Sequence, residues 1–294
     1  MANLLCRRGV DELETAASNK ASSLEAVTVR EVFESSASFW REVYAADDVY
    51  GVIYQERSTA VLSMVNRLAL PKGIPVLEVG CGAGFVSVAL AREGHKITAT
   101  DVAASMVANT RKLADEAGVG PLVETRQCDT RHLPFPDRSF GLVLAIGVLP
   151  WVSSIEDAIR EMQRVLEPGG YLILTTDNRY RLHRILHPYA WMQSTLSRLA
   201  RSLPVRGAHK CLPQAKTCST RAFDAQLLDL GLKKVSGATL GFGPFWLLNR
   251  VLPRTAAVKL HSTLQGFADR GTPLFRSTGA QYLTLSQRPH ATDS

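Results

Sequence analysis

The stretch VLEVGCGAGF, residues 76–85, sets carboxylate chemistry beside a glycine turn. An apolar run reaches Glu78, and three glycines follow at alternate positions: Gly80, Gly82 and Gly84. A glycine turn after a strand lets the backbone approach a ligand closely, because glycine carries no Cβ and tolerates left-handed conformations. The spacing is G-x-G-x-G, whereas the dinucleotide fingerprint G-x-G-x-x-G would put its third glycine at Phe85. Glu78 would repel a pyrophosphate and would suit a cationic ligand. About twenty residues further on, Asp101 closes the run KITATD, where an acid can take the two hydroxyls of a ribose. The ligand so described has a ribose and no pyrophosphate, and it tolerates negative charge beside the turn.

S-adenosylmethionine meets these conditions, with a ribose, a sulfonium and an ammonium and no phosphate. The motifs in their order resemble those of the class I S-adenosylmethionine-dependent methyltransferases, of the type that includes the ubiquinone/menaquinone biosynthesis enzymes. VLEVGCGAGF matches the first motif, ITATDVAASM the second and CDTRHLPFPDRSFGLVLA the third region, and REMQRVLEPGGYLILTT matches the turn into the fifth strand. The resemblance runs from about residue 40 to Asp177 and resumes weakly over residues 220–231 and 281–288. It implies a cofactor site of Glu78, Gly80, Cys81, Gly82, Gly84, Asp101, Val102, Met106, Asp129, Thr130 and Ile146. In it Asp101 takes the ribose, Val102 and Met106 lie against the adenine, Asp129 takes the adenine amino group and Thr130 offers its backbone. Cys81 also reads as a small packing residue. In an N-terminal segment that relatives fold over the cofactor, Tyr50 or Tyr54 would cover the methionine portion and Arg57 would pair with its carboxylate; the plainer alternative is helix packing and a surface arginine.

Methyl transfer from a sulfonium is an in-line displacement, so the protein mainly aligns the acceptor and excludes water. A base helps when the acceptor is a hydroxyl of high pKa. Many relatives place a polar residue or histidine just after the fourth strand, whereas this chain has Val148-Leu149-Pro150-Trp151-Val152. Trp151 reads equally as a wall for an apolar acceptor or as a core residue. No Asn-Pro-Pro-aromatic motif for amino-group methylation is present. His183 and His187 follow the fifth strand at i and i+4 and are the catalytic candidates, with surface histidines or a metal pair as alternatives. His209, Cys211 and Cys218 have spacing that a metal could use, but no further cluster supports it.

The elements that must hold these residues alternate. PVLEV, KITAT, PLVETRQCD, SFGLVLAI and YLILTTD read as strands, with helices between them. Pro168-Gly169-Gly170 closes the helix before the fifth strand, and Pro71 stops an N-terminal helix. TRAFDAQLLDLG and KKVSGATL resume the pattern, residues 241–279 read as loose, and QYLTLSQR is a last strand. The fold class is α/β, a Rossmann-like sheet; the resemblance implies seven strands in the order 3-2-1-4-5-7-6 with the last antiparallel. An N-terminal helical cap spans 1–70 and the methyltransferase domain 71–294, interrupted by insertions at 178–218 and 241–279.

Charge divides the chain. Residues 1–177 carry 17 Lys and Arg against 23 Asp and Glu, net −6; residues 178–294 carry 17 against 4, net +13; together they give the chain's +7. Arg179, Arg181, Arg184, Arg198, Arg201, Arg206 and Lys210 stand among aromatic and aliphatic residues with no acid between them. That mixture suits an anionic membrane surface or an acyl carrier protein, or equally a lid helix with solvated arginines. No nucleic-acid-binding module accompanies it, although a basic half would bind phosphates non-specifically. Five unclustered cysteines and no signal-like apolar run indicate a cytoplasmic protein, with peripheral membrane contact open. The expected function is methyl transfer to a small or lipid-like acceptor, oxygen or carbon favoured. A non-catalytic cofactor-binding partner and an RNA methyltransferase are the alternatives.

Overall fold

The computed structural model describes residues 28–182, 215–247 and 250–290. Three helices open it: α1 (Val29–Ser35), α2 (Ala37–Ala45) and α3 (Val49–Arg67). The alternating part follows as β1 (Pro75–Val79), α4 (Phe85–Arg92), β2 (Lys96–Asp101), α5 (Ala104–Glu116), β3 (Val123–Gln127), β4 (Phe140–Ala145), α6 (Ile155–Val165) and β5 (Leu166–Asn178). After it come β6 (Thr217–Cys218), α7 (Thr220–Asp229), β7 (Lys233–Leu240), a short hairpin of β8 (Trp246–Leu247) and β9 (Arg250–Val251), α8 (Arg254–Asp269) and β10 (Gln281–Gln287).

The sheet runs β3-β2-β1-β4-β5-β10-β7, with β10 antiparallel to both neighbours. Counting only the seven long strands, this is 3-2-1-4-5-7-6, as the resemblance implies. The two-residue β6, parallel to the end of β5, is an addition. Period-2 alternation sends successive side chains to opposite faces. Val76, Leu142, Leu144 and Ile173 face one core with α3, α4 and α5, while Leu77, Val143, Leu172 and Leu174 face the other with α6 and α7. Both faces are covered, which is why β4 is buried at all six positions.

Local chemistry sets the element ends near the site. Asp48 caps α3, accepting from the backbone N–H groups of Tyr50 and Gly51. Ser154 caps α6, whose first turn is acidic and whose last turn carries Arg164. Arg164 donates to the carbonyls of Leu133 and Phe135 and pairs with Asp137 and Glu161, so α6 anchors the loop that follows Asp129.

Two expectations change. Pro168-Gly169-Gly170 is not a separate turn: β5 starts at Leu166, and the extra residues bulge between the pairs Phe140–Leu166 and Leu142–Tyr171. Gly169 N–H donates to the Arg288 carbonyl and Arg288 N–H to that of Gly170, so the bulge is bound to the end of β10. Residues 241–279 are not loose, since they hold the β8–β9 hairpin and the 16-residue α8. The buried face of α8 is Ala257, His261, Gln265 and Ala268, small or polar rather than apolar, so hydrophobic periodicity gives no signal there. The polar members are satisfied. His261 Nδ1 accepts from Phe242 N–H and Nε2 meets Glu56; Gln265 accepts from Gly241 N–H and donates to the Thr239 carbonyl.

Candidate active site

The carboxyl ends of β1, β2, β4 and β5 open into one cavity of about 930 Å³, roofed by α1 and α2. It stands at the upper end of the roughly 300–1,000 Å³ that ligand pockets span, room for a cofactor and an acceptor together. The glycine turn forms one wall. Gly84 has φ +84° and an added Cβ there would lie 2.8 Å from Thr110 Cα, so its role is to let α4 and α5 approach; it does not line the cavity. At Gly82, φ +54°, an added Cβ would meet no protein atom within 4 Å and would project into the cavity.

Asp101 is 8% exposed and accepts from the backbone N–H groups of Gly82 and Ala103, each at 3.0 Å. Burial pushes its carboxyl above the usual aspartate range, and those N–H donors oppose the shift. The bond to Gly82 ties the end of β2 to the glycine turn. A carboxylate has about four acceptor positions, so capacity remains for ribose hydroxyls.

Glu78 is 2% exposed and accepts from the Ser87 hydroxyl on α4. Burial pushes it up to about 7, partly offset by Ser87, so near neutrality the group is poised between acid and carboxylate. Cys81 is pushed well above the thiol range by burial, and with Thr110 Oγ1 3.2 Å away it packs as an inert thiol. Asp129 is held below the usual range by hydrogen bonds from Arg131, whose Nη2 lies at 2.7 Å.

Arg57 is 4% exposed and also lines the cavity. Its Nη2 donates to the Tyr44 hydroxyl at 2.7 Å and its Nη1 to Gln281 at 3.4 Å, with the guanidinium 4.6 Å from the Tyr54 ring centre. Asp177, at the end of β5, is buried in the same wall and pairs with Arg181 at 3.7 Å.

Part of the cavity wall is aromatic. Trp151 meets Phe33 edge-on at 5.4 Å, Phe33 meets Trp40 at 5.9 Å, Trp40 meets Tyr54 at 5.6 Å and Tyr44 stacks on Phe85 at 4.5 Å. All of these rings line the cavity.

Of the residues singled out from sequence, the cavity gathers Arg57, Glu78, Gly80, Cys81, Gly82, Asp101, Val102, Met106, Asp129, Thr130 and Ile146. Tyr50 stands outside it, packed with Val49, Ile53 and Ala257; Tyr44 and Tyr54 line it instead. His183 and His187 lie outside the described residues. Sequence reasoning passed over Phe33, Trp40, Asp177, Lys216 and Gln281. Asp177 carried a readable signal, since it stands one residue before the end of β5, much as Asp101 ends β2. Among the described residues no group of three or more His, Cys, Asp and Glu could hold a metal ion, and no helix is long and apolar enough to cross a membrane.

Residues 77–174 match the family model described as a methyltransferase domain. Phosphatidylethanolamine N-methyltransferase of Cereibacter sphaeroides is 33% identical over 45% of this chain and 63% of that protein. Malonyl-[acyl-carrier protein] O-methyltransferase of Halorhodospira halophila is 30% identical over 58% of this chain and 55% of that protein. These alignments span less than two thirds of the curated relatives. The magnesium protoporphyrin IX methyltransferase of Synechocystis PCC 6803, solved with bound SAH, superposes with a TM-score of 0.61 at 16% identity, covering 88% of this chain and 97% of that one. Its likeness extends to the fold. The family match, the motif order and the strand order agree on a methyltransferase domain over residues 77–174.

Proposed function

We propose that the protein transfers a methyl group from S-adenosylmethionine to a small or lipid-like acceptor, at oxygen or carbon. The observation that carries this reading is one cavity lined both by the strand-end acids and by a set of aromatic rings. The cofactor fits the residues present. Asp101 retains acceptor capacity for ribose hydroxyls, Gly82 leaves open space beside it, and Glu78 suits a cation. Arg57 would take the methionine carboxylate, and Asp129 and Thr130 the adenine edge, with Val102 and Met106 against its face. When bound, the cofactor supplies a methyl group already activated on a sulfonium.

The chain's own part is then to align and to dry the site. The roof of α1 and α2 excludes water, and Trp151, Phe33 and Trp40 give an apolar acceptor a surface to lie on. A hydroxyl acceptor must lose a proton, and Asp177 is the cavity carboxylate outside the cofactor motifs that would accept it. The curated relatives act, by their names, on a phospholipid and on a carrier-bound malonyl group. This supports a lipid-like acceptor and leaves peripheral contact with a membrane or an acyl carrier protein within the proposal.

The test is incubation with methyl-labelled S-adenosylmethionine and a lysate of the source organism, separated into lipid, small-molecule, protein and nucleic-acid fractions. Label in the first two is the expected result. Label confined to RNA or protein overturns the acceptor class, and no label despite cofactor binding favours a non-catalytic binding partner.

A further inference from the structure

Two cations at the aromatic end of the cavity have no acidic partner among the described residues. Arg30 and Lys216 are both exposed, and both line the cavity wall. The other lining cations are engaged: Arg131 pairs with Asp129 at 2.7 Å, and Arg57 lies between Tyr44 and Gln281. The lining acids, by contrast, all sit at strand ends or in the loop after β3: Glu78, Asp101, Asp129 and Asp177.

Arg30 belongs to one, and Lys216 is bonded to the other, of the two segments that supply one pair of rings. Arg30 lies one turn before Phe33 on α1, so the two share a helix face. The Phe33 ring contacts Trp151 edge-on at 5.4 Å. Lys216 is tied to the turn that carries Trp151: its backbone N–H donates to the Pro150 carbonyl at 2.7 Å and its Nζ to the Ser153 carbonyl. One bond to a carbonyl leaves two of the three ammonium donors free. The mouth therefore combines two aromatic faces with two positive charges supplied by segments far apart in sequence. An uncharged apolar acceptor would gain nothing from either cation. An acceptor bearing its own anion would gain charge-assisted hydrogen bonds to both.

We infer that the acceptor is an anionic amphiphile, an apolar or aromatic body carrying a carboxylate or phosphate that Lys216 and Arg30 hold at the cavity mouth. The inference rests on reading this cavity as the methyl-transfer site, and it adds the acceptor's charge to that reading. It also makes Arg30 and Lys216 specificity residues that act on acceptor binding and leave the cofactor untouched.

The experiment measures, by calorimetry on the full chain, the affinities of dodecanoate, dodecyl phosphate and 1-dodecanol as monomers. SAH affinity is measured on the same preparations. Expected is at least a tenfold preference for the two anions over the alcohol. In Arg30→Met combined with Lys216→Met that preference should fall below threefold, with SAH affinity within twofold of the original. Equal binding of alcohol and anions by the unaltered protein would overturn the inference, and so would an anion preference that survives both substitutions. Binding to phosphatidylglycerol vesicles with none to the monomeric anions would overturn it in favour of a membrane surface. Arg160→Met, on the outer face of α6, is the control for a general loss of positive charge. Absence of SAH binding in the unaltered protein would overturn the cofactor reading instead, separately from the amphiphile result.

Discussion

The two ends of the cavity are built by different means. The end proposed for the cofactor takes its groups from segments close in sequence: Glu78, the glycine turn, Asp101 and Asp129 lie within about fifty residues. Its contacts are backbone N–H groups and buried carboxylates. The end proposed for the acceptor draws Phe33, Trp40, Trp151 and Lys216 from across nearly two hundred residues, and its contacts are between aromatic rings. Carboxylate geometry at strand ends is fixed by sheet register, so a given cofactor can be held by a short ordered set of motifs. Ring packing from distant helices has no such register.

If the division holds, substitutions at one end should leave the other alone. The largest effect belongs to Asp101→Ala, which removes an acceptor for Gly82 and Ala103 N–H groups and for the ribose. Cofactor affinity should fall by about a hundredfold, on the order of 3 kcal/mol, while binding of an acceptor analogue by calorimetry stays within twofold. Unchanged cofactor affinity would break the assignment of that motif.

Trp151→Ala comes next. It removes the ring against Phe33 and should raise KM for the acceptor about tenfold, with cofactor Kd unchanged. A matching loss of cofactor affinity would show that the two ends are not separate.

Glu78 gives a smaller effect that depends on pH. Its folded pKa, pushed up to about 7, exceeds the unfolded value, so the folded state holds the extra proton between about 4.5 and 7. Stability from this group is present below the unfolded pKa and is lost as pH rises through the folded one. The loss should be on the order of 3 kcal/mol at most, since each unit is about 1.4 kcal/mol. Chemical denaturation of Glu78→Gln should lose this slope between pH 5 and 8 (about three units). A cationic cofactor favours the ionised form, so binding near pH 7 should release protons, read by calorimetry in buffers of different ionisation enthalpy.

The smallest effect is at Arg160→Ala, which breaks an exposed pair with Glu156 on α6 at 61% and 52% side-chain exposure. Denaturation midpoints should show a change of less than about 0.5 kcal/mol, and activity at either end should not move.

How much could be read ahead of the structure followed the same division. Strand–helix alternation, the turn at Gly80 to Gly84 and the acid ending β2 are local patterns, and each stands where its spacing placed it. The helix α8 was illegible because its inward face is Ala257, His261, Gln265 and Ala268, held by hydrogen bonds to partners elsewhere in the chain rather than by apolar contact. Gln281 and Arg57 give no hint in sequence that they meet, being 224 residues apart.

The sequence by itself determined the alternation of strands and helices and the acids near the strand ends, because periodicity, glycine turns and strand-end carboxylates are properties of short segments. Tertiary structure alone decided which of Tyr44, Tyr50 and Tyr54 line the cavity, that Asp177 joins its wall, and that the segments holding Arg30 and Lys216 bring Phe33 and Trp151 together. Those facts depend on how α1 to α3 cross the carboxyl edge of the sheet, and packing between distant elements leaves no periodic trace in the chain.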